Sequence, residues 1–126
     1  MPTILLVDND PLQALVRKSS LEKRFGDVER VSDPAEALCL IEQPQFASHL
    51  RLVISGLHTS GIAGADFVAE LHSRLPSVPV LVLGDGDQRA ADYDVEGVRL
   101  LSRPYASDQV LAAASQMMDK STRNGH

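Results

Sequence analysis

The sequence predicts a doubly wound α/β domain, a parallel five-stranded sheet with helices on both faces. Five short apolar runs, at 3–7, 28–31, 50–54, 80–83 and 98–101, alternate with segments of helical spacing. Continuous apolar runs without polar alternation mark strands buried on both faces, and strand alternating with helix argues a parallel sheet covered by helices.

The first run stops at Asp8-Asn9-Asp10-Pro11, an N-cap followed by proline at the first helical position. The helix that follows carries Leu12, Leu15 and Val16 on one face, then Leu21 and Phe25, and Gly26 closes it. After the second strand, Asp33-Pro34-Ala35-Glu36 resembles a capping box. It opens a helix with Ala37, Leu38 and Ile41 inward, which Pro44 ends. The third strand leads through a loop holding Gly56 and Gly61 to a helix that begins at Gly64 and carries Phe67, Val68, Leu71 and Leu75. Between the fourth and fifth strands Asp85, Asp87, Asp92, Asp94 and Glu96 crowd acids together, so any helix there is short. Arg103-Pro104 then precedes a last helix, from about Ser107 to Met118. The chain reads as one domain over 1–120, with 121–126 a polar tail or the start of a linker.

Composition narrows the function. The chain has 126 residues, 44% hydrophobic, with five aromatics and no Trp, so its core rests on aliphatic side chains. Twelve basic residues against seventeen acidic give a net charge of −5, which disfavours a nucleic-acid partner for this domain. The lone Cys39, between Leu38 and Leu40, excludes an internal disulfide and reads as a small, partly buried residue. The N-terminal residues lack a signal-peptide pattern and no apolar run reaches membrane-spanning length, so a cytoplasmic location is expected.

The sequence carries few marks of catalytic chemistry. The first strand is followed by acids, not by the glycines of a dinucleotide fingerprint, and Ser60-Gly61 lacks the preceding glycine of a nucleophile elbow. His49, His58, His72 and His126 form no metal-ligand pair, and Asp85-Gly86-Asp87 does not match a calcium loop. No enzymatic activity is expected.

The order of landmarks, Ile4-Leu5-Leu6-Val7-Asp8-Asn9-Asp10-Pro11, then Gly61-Ile62-Ala63-Gly64, then Leu101-Ser102-Arg103-Pro104-Tyr105, resembles the receiver domain of bacterial two-component response regulators over residues 3 to about 119. The resemblance implies a flavodoxin-like (βα)5 fold with strand order 2-1-3-4-5, here with a shortened or irregular fourth helix. It also implies phosphorelay signalling, in which an aspartate ending the third strand accepts a phosphoryl group from a histidine kinase. Counting back from Gly64 places that aspartate at Gly56, which has no oxygen nucleophile. Asp8 matches the first of two acidic metal-binding positions and Asn9 the second, leaving Asp8 a weak magnesium candidate, so no cofactor is expected. The switch hydroxyl falls at Gly84, the lysine before proline is Arg103, and the switch aromatic is Leu100. Arg103 is expected either to pair with Asp8 or to face solvent, and the geometry usual in the family implies a cis Arg103-Pro104 bond.

These departures agree with one another and imply a pseudo-receiver. It would act through phosphorylation-independent contact with a kinase, a regulator, an output domain or a second copy of itself. Family habit implies the face of the fourth helix, strand five and the fifth helix, near Asp92, Asp94, Arg99, Asp108 and Gln109. Two alternatives stand beside it. One is a small-anion or ligand sensor using the emptied pocket around Gly56, Gly84 and Arg103. The other is a receiver phosphorylated on an unorthodox residue, Ser55 or His58.

Overall fold

The computed structural model describes residues 3–56, 64–84 and 96–124. Strands β1 (Ile4–Val7), β2 (Val28–Val31), β3 (Leu52–Gly56), β4 (Val80–Gly84) and β5 (Val98–Ser102) form one parallel sheet in the order β2-β1-β3-β4-β5. The helices described are α1 (Pro11–Phe25), α2 (Pro34–Ile41), the single-turn α3 (Pro44–Ala47), α4 (Gly64–Arg74) and α5 (Ser107–Asn124). The expected sheet and strand order are therefore present, while the segment expected to hold a shortened helix lies outside the described residues.

Strand alternation divides the core in two. Leu5, Val7, Val53, Val80 and Val82 face one side and pack with Ala37, Ile41, Phe46, Phe67 and Leu71 from α2, α3 and α4. Ile4, Leu6, Leu52, Ile54, Leu81 and Leu83 face the other and pack with Leu21 of α1 and with Val110, Ala113, Ala114 and Met118 of α5. Because β1, β3 and β4 are buried on both faces, their side chains hold the register: a slip by one residue would exchange the two sets.

Carboxylates open two of the helices. Asp10 Oδ1 accepts from the backbone N–H groups of Leu12 (3.1 Å) and Gln13 (3.2 Å), with Pro11 at the first helical position. Asp33 Oδ1 does the same for Glu36, at 2.9 Å. At the far end of α1, Gly26 at φ 92° lets its N–H reach Glu22 O.

Several expectations are corrected. Leu12, Leu15 and Val16 do form one face of α1, but it is turned to water, at 76%, 67% and 63% exposure. The buried stripe is Ala14 and Leu21; Leu12 and Leu21, about two and a half turns apart, lie on opposite sides of the helix. Cys39 is exposed, because it stands half a turn from the inward pair Ala37 and Ile41. Pro44 starts α3 instead of merely ending α2, since proline suits a first helical position. The last helix runs beyond Met118 to Asn124. Residues 119–124 hold no Gly or Pro to stop it, and a polar composition alone does not end a helix.

Replacing Asp10 by Ala removes the α1 cap and is expected to lower unfolding free energy by about 1 kcal/mol in urea denaturation, with Asn9→Ala, at an exposed neighbouring position, close to neutral.

Candidate functional site

In a parallel sheet of this kind the functional edge is the carboxyl ends of the strands. The register Val7↔Ser55, Gly56↔Leu83 and Gly84↔Ser102 brings the residues after β1, β3, β4 and β5 to that edge together. Asp8, Gly56, Gly84 and Arg103 thus share one end of the sheet, as their sequence positions predict.

Asp8 is the centre of the edge. With Ser55 it is one of two buried polar residues among those described, 2% exposed, and every polar atom it carries has a partner. Its backbone N–H donates to Val31 O (3.1 Å), and its carbonyl accepts from Arg30 Nε (3.1 Å) and Nη2 (2.8 Å). Carboxylate Oδ1 accepts from Asp10 N–H at 3.0 Å, and Oδ2 accepts from Arg17 Nη1 at 2.9 Å in a largely buried ion pair. Arg17 stands about two turns into α1 and reaches back to the strand end.

Arg17 has further work. Its Nη2 donates to the Tyr105 hydroxyl at 3.3 Å, and its guanidinium lies 6.0 Å from the Tyr105 ring centroid. The Gln13 side-chain amide lies beside both guanidinium groups, and the amide orientation that satisfies them puts its oxygen 3.1 Å from Arg17 Nη2 and from Arg103 Nη2. Arg103 is exposed and does not pair with Asp8; Arg17 holds that place. The Arg103-Pro104 bond is cis.

Gly56 is buried at the end of β3. A methyl group built on it would lie 3.6 Å from Asp8 Cγ, Asp8 Oδ2 and Val7 O, so a side chain at this position would point at the Asp8 carboxylate. Ser55, one step back, is 1% exposed and falls on the other strand face by alternation. Gly84 is buried and its carbonyl accepts from Arg103 N–H at 3.2 Å. Leu100 packs half-buried against the α2–α4 side of the core, and Asn9 is exposed. His58, Asp92 and Asp94 lie outside the described residues.

No protein-family model matches the sequence, and no curated protein does. Solved structures do match its fold. A response regulator receiver protein from Sinorhizobium medicae superposes with a TM-score of 0.82 at 22% identity, over 95% of this chain and 96% of that one. A signal receiver domain of an HD domain-containing protein from Pseudomonas fluorescens gives 0.82 at 26%, over 98% and 90%. A response regulator receiver domain protein from Clostridium thermocellum gives 0.82 at 20%, over 97% and 98%. The fold is that of a receiver domain.

The divalent cation that the receiver resemblance implies does not fit these residues. Asp8 spends one oxygen on a backbone donor and the other on a guanidinium, Asn9 is turned to water, and position 56 has no side chain. Among the described residues no group of three His, Cys, Asp or Glu side chains is placed to hold a metal ion. Magnesium favours carboxylates, whereas here it would have to displace an arginine.

Sequence reasoning passed over Arg17 and Arg30, the two side chains that donate to Asp8. The available signal for Arg17 was its phase. Arg17 falls four residues before the buried Leu21 and three after the buried Ala14, which turns it toward the sheet.

Arg17→Met strands a buried carboxylate and is expected to cost about 3–5 kcal/mol in denaturant melts, with Asp8→Asn/Arg17→Met recovering part of that loss. Gly56→Ala adds a methyl into ordinary contact distance at a strand position and is expected to raise stability by about 0.4–1 kcal/mol in the same measurement.

Proposed function

We propose that this receiver-fold domain is a signalling module that acts by binding another protein without being phosphorylated, and that it catalyses no reaction. The observation that carries the reading is the Asp8–Arg17 ion pair beside Gly56. On this reading Gly56 stands where a receiver keeps its phosphoryl-accepting aspartate, and glycine offers no oxygen to form an acyl phosphate. Arg17 supplies the positive charge that buried Asp8 requires, in place of a divalent cation. Gly84 has no hydroxyl to follow a phosphoryl group and Leu100 no phenol to move with it.

Ser55 is a poor substitute acceptor, since a phosphoryl donor would have to reach a side chain 1% exposed within the sheet. Among the described residues no helix is long and apolar enough to cross a membrane, which is consistent with a module that meets its partner in solution.

Mass spectrometry after incubation with acetyl phosphate and Mg²⁺ is expected to find no adduct, and amide spectra are expected to keep Asp8, Gly56 and Gly84 unshifted on adding Mg²⁺ and then beryllium fluoride. A phosphate adduct, or saturable shifts at those three residues, overturns the reading.

A further inference from the structure

At the opposite end of the sheet from Asp8, the strand starts border a second cleft, of about 830 Å³. It is bounded by His72 in the last turn of α4, by residues 76–79 leading into β4, by 96–99 at the start of β5 and by Gln116 and Met117 of α5, with Leu50 and Arg51 beside them. Backbone bonds fix this edge: Val53 N–H donates to Pro79 O at 3.1 Å and Val80 N–H to Gly97 O at 2.8 Å. The cleft is therefore built on the sheet, and its volume lies in the range of small-molecule sites, roughly 300–1,000 Å³.

Apolar surface and strong donors meet there. Leu50, Val78 and Pro79 are buried, and Val98 and Met117 half-buried. Arg51 Nη2 donates to Met118 O at 3.3 Å and Arg99 Nη1 to Gln116 Oε1 at 2.9 Å, so both guanidinium groups are drawn to the α5 side. The partner of Arg99 is a neutral amide. Among the described residues no carboxylate lies within ion-pair distance of Arg99, and the remaining N–H groups of its planar fork suit an acid group. Glu96 also borders the cleft, but it is exposed and holds neither arginine in an ion pair.

His72 adds a third donor. Its Nδ1 is buried with no hydrogen-bond partner among the described residues, and its Cε1 lies 3.9 Å from where a Cβ on Gly97 would stand. A proton on Nδ1 would have no acceptor, so the neutral ring carries its proton on Nε2, the nitrogen left to face a ligand. Gly97, at φ 86°, takes the left-handed conformation that glycine favours and sets no side chain over the ring.

We infer that this cleft binds a small organic anion with an apolar body. Its acid group is held by Arg99 together with Arg51 and the His72 Nε2–H, and its body lies on Pro79, Val98 and Met117. A cation would meet two guanidinium groups for one exposed acid, and an uncharged apolar molecule would leave the Arg99 fork unused. The site goes beyond the protein-binding reading and stands apart from the emptied edge at Gly56 and Gly84, so its failure leaves that reading untouched.

The probes are naphthylacetate and decanoate, with the alcohol and the amine of the same naphthyl ring as controls, titrated into the full chain. Both carboxylates are expected to bind saturably at millimolar concentration or below and to shift the amides of Gly97, Arg99 and Gln116, with the alcohol at least about tenfold weaker and the amine inert. Arg99→Gln is expected to weaken naphthylacetate about tenfold and Glu96→Gln to strengthen it about twofold. Both positions are exposed, and circular dichroism verifies that the variants fold. Failure of both carboxylates to bind, equal binding of the alcohol or amine, shifts confined to the Asp8 end of the sheet, or unchanged affinity in folded Arg99→Gln would each overturn the inference.

Discussion

A carboxylate 2% exposed at the end of a strand covered on both faces is costly unless its charge is matched and its oxygens are bonded, and the carboxyl edge of this sheet is arranged around that requirement at Asp8. The match comes from Arg17, nine residues on, which can arrive only if α1 leaves the strand at the angle set by Asp10 and Pro11. Asp10 thereby serves twice, capping α1 through its side chain and bonding Asp8 through its backbone N–H. Arg30 on β2 completes the arrangement by clamping the Asp8 carbonyl, so neighbouring strands and the first helix are tied to one residue.

That tie has a consequence for the rest of α1. The helix turns Arg17 toward Tyr105 and Asp8 and buries little else, its inner stripe being Ala14 and Leu21. The larger apolar residues are left outside: Leu12, Leu15 and Val16 lie on the face opposite Leu21 and cannot reach the sheet without withdrawing the arginine from the carboxylate. The exposed ridge and the buried ion pair are therefore two results of one helix rotation. A protein under no other demand would gain by burying the leucines.

The sheet, its order and the helices flanking it were legible in the sequence, because buried parallel strands write themselves as aliphatic runs and Asp-Pro pairs mark helix starts. The strand ends were legible too, so Asp8, Gly56, Gly84 and Arg103 could be gathered to one edge from sequence alone. What was not legible was the direction α1 faces. Its hydrophobic pattern contains two stripes, Leu12-Leu15-Val16 and Ala14-Leu21, and periodicity ranks the first higher because its residues are larger. The partner of Asp8 was missed for the same reason: Arg103 adjoins the landmark proline, whereas Arg17 gains its meaning only once the rotation of α1 is known. Cys39 misled through its neighbours, since flanking leucines in a helix say little about a residue on the other side.

The ion pair also bears on whether such a domain could switch. A ligand or covalent group shifts a protein between two states only through a difference in its interaction with them, and a phosphoryl group works in this way by adding charge that nearby donors turn to bond. Here the edge already contains a full positive charge bonded to the carboxylate, a glycine at the end of β4, and a leucine committed to the core. On the proposed reading none of these three positions distinguishes a second state, so the binding face keeps one geometry and its occupancy follows the partner's concentration. On that same reading control lies with whatever alters the partner, because the arginine that stabilises the edge also occupies the carboxylate a cation would need.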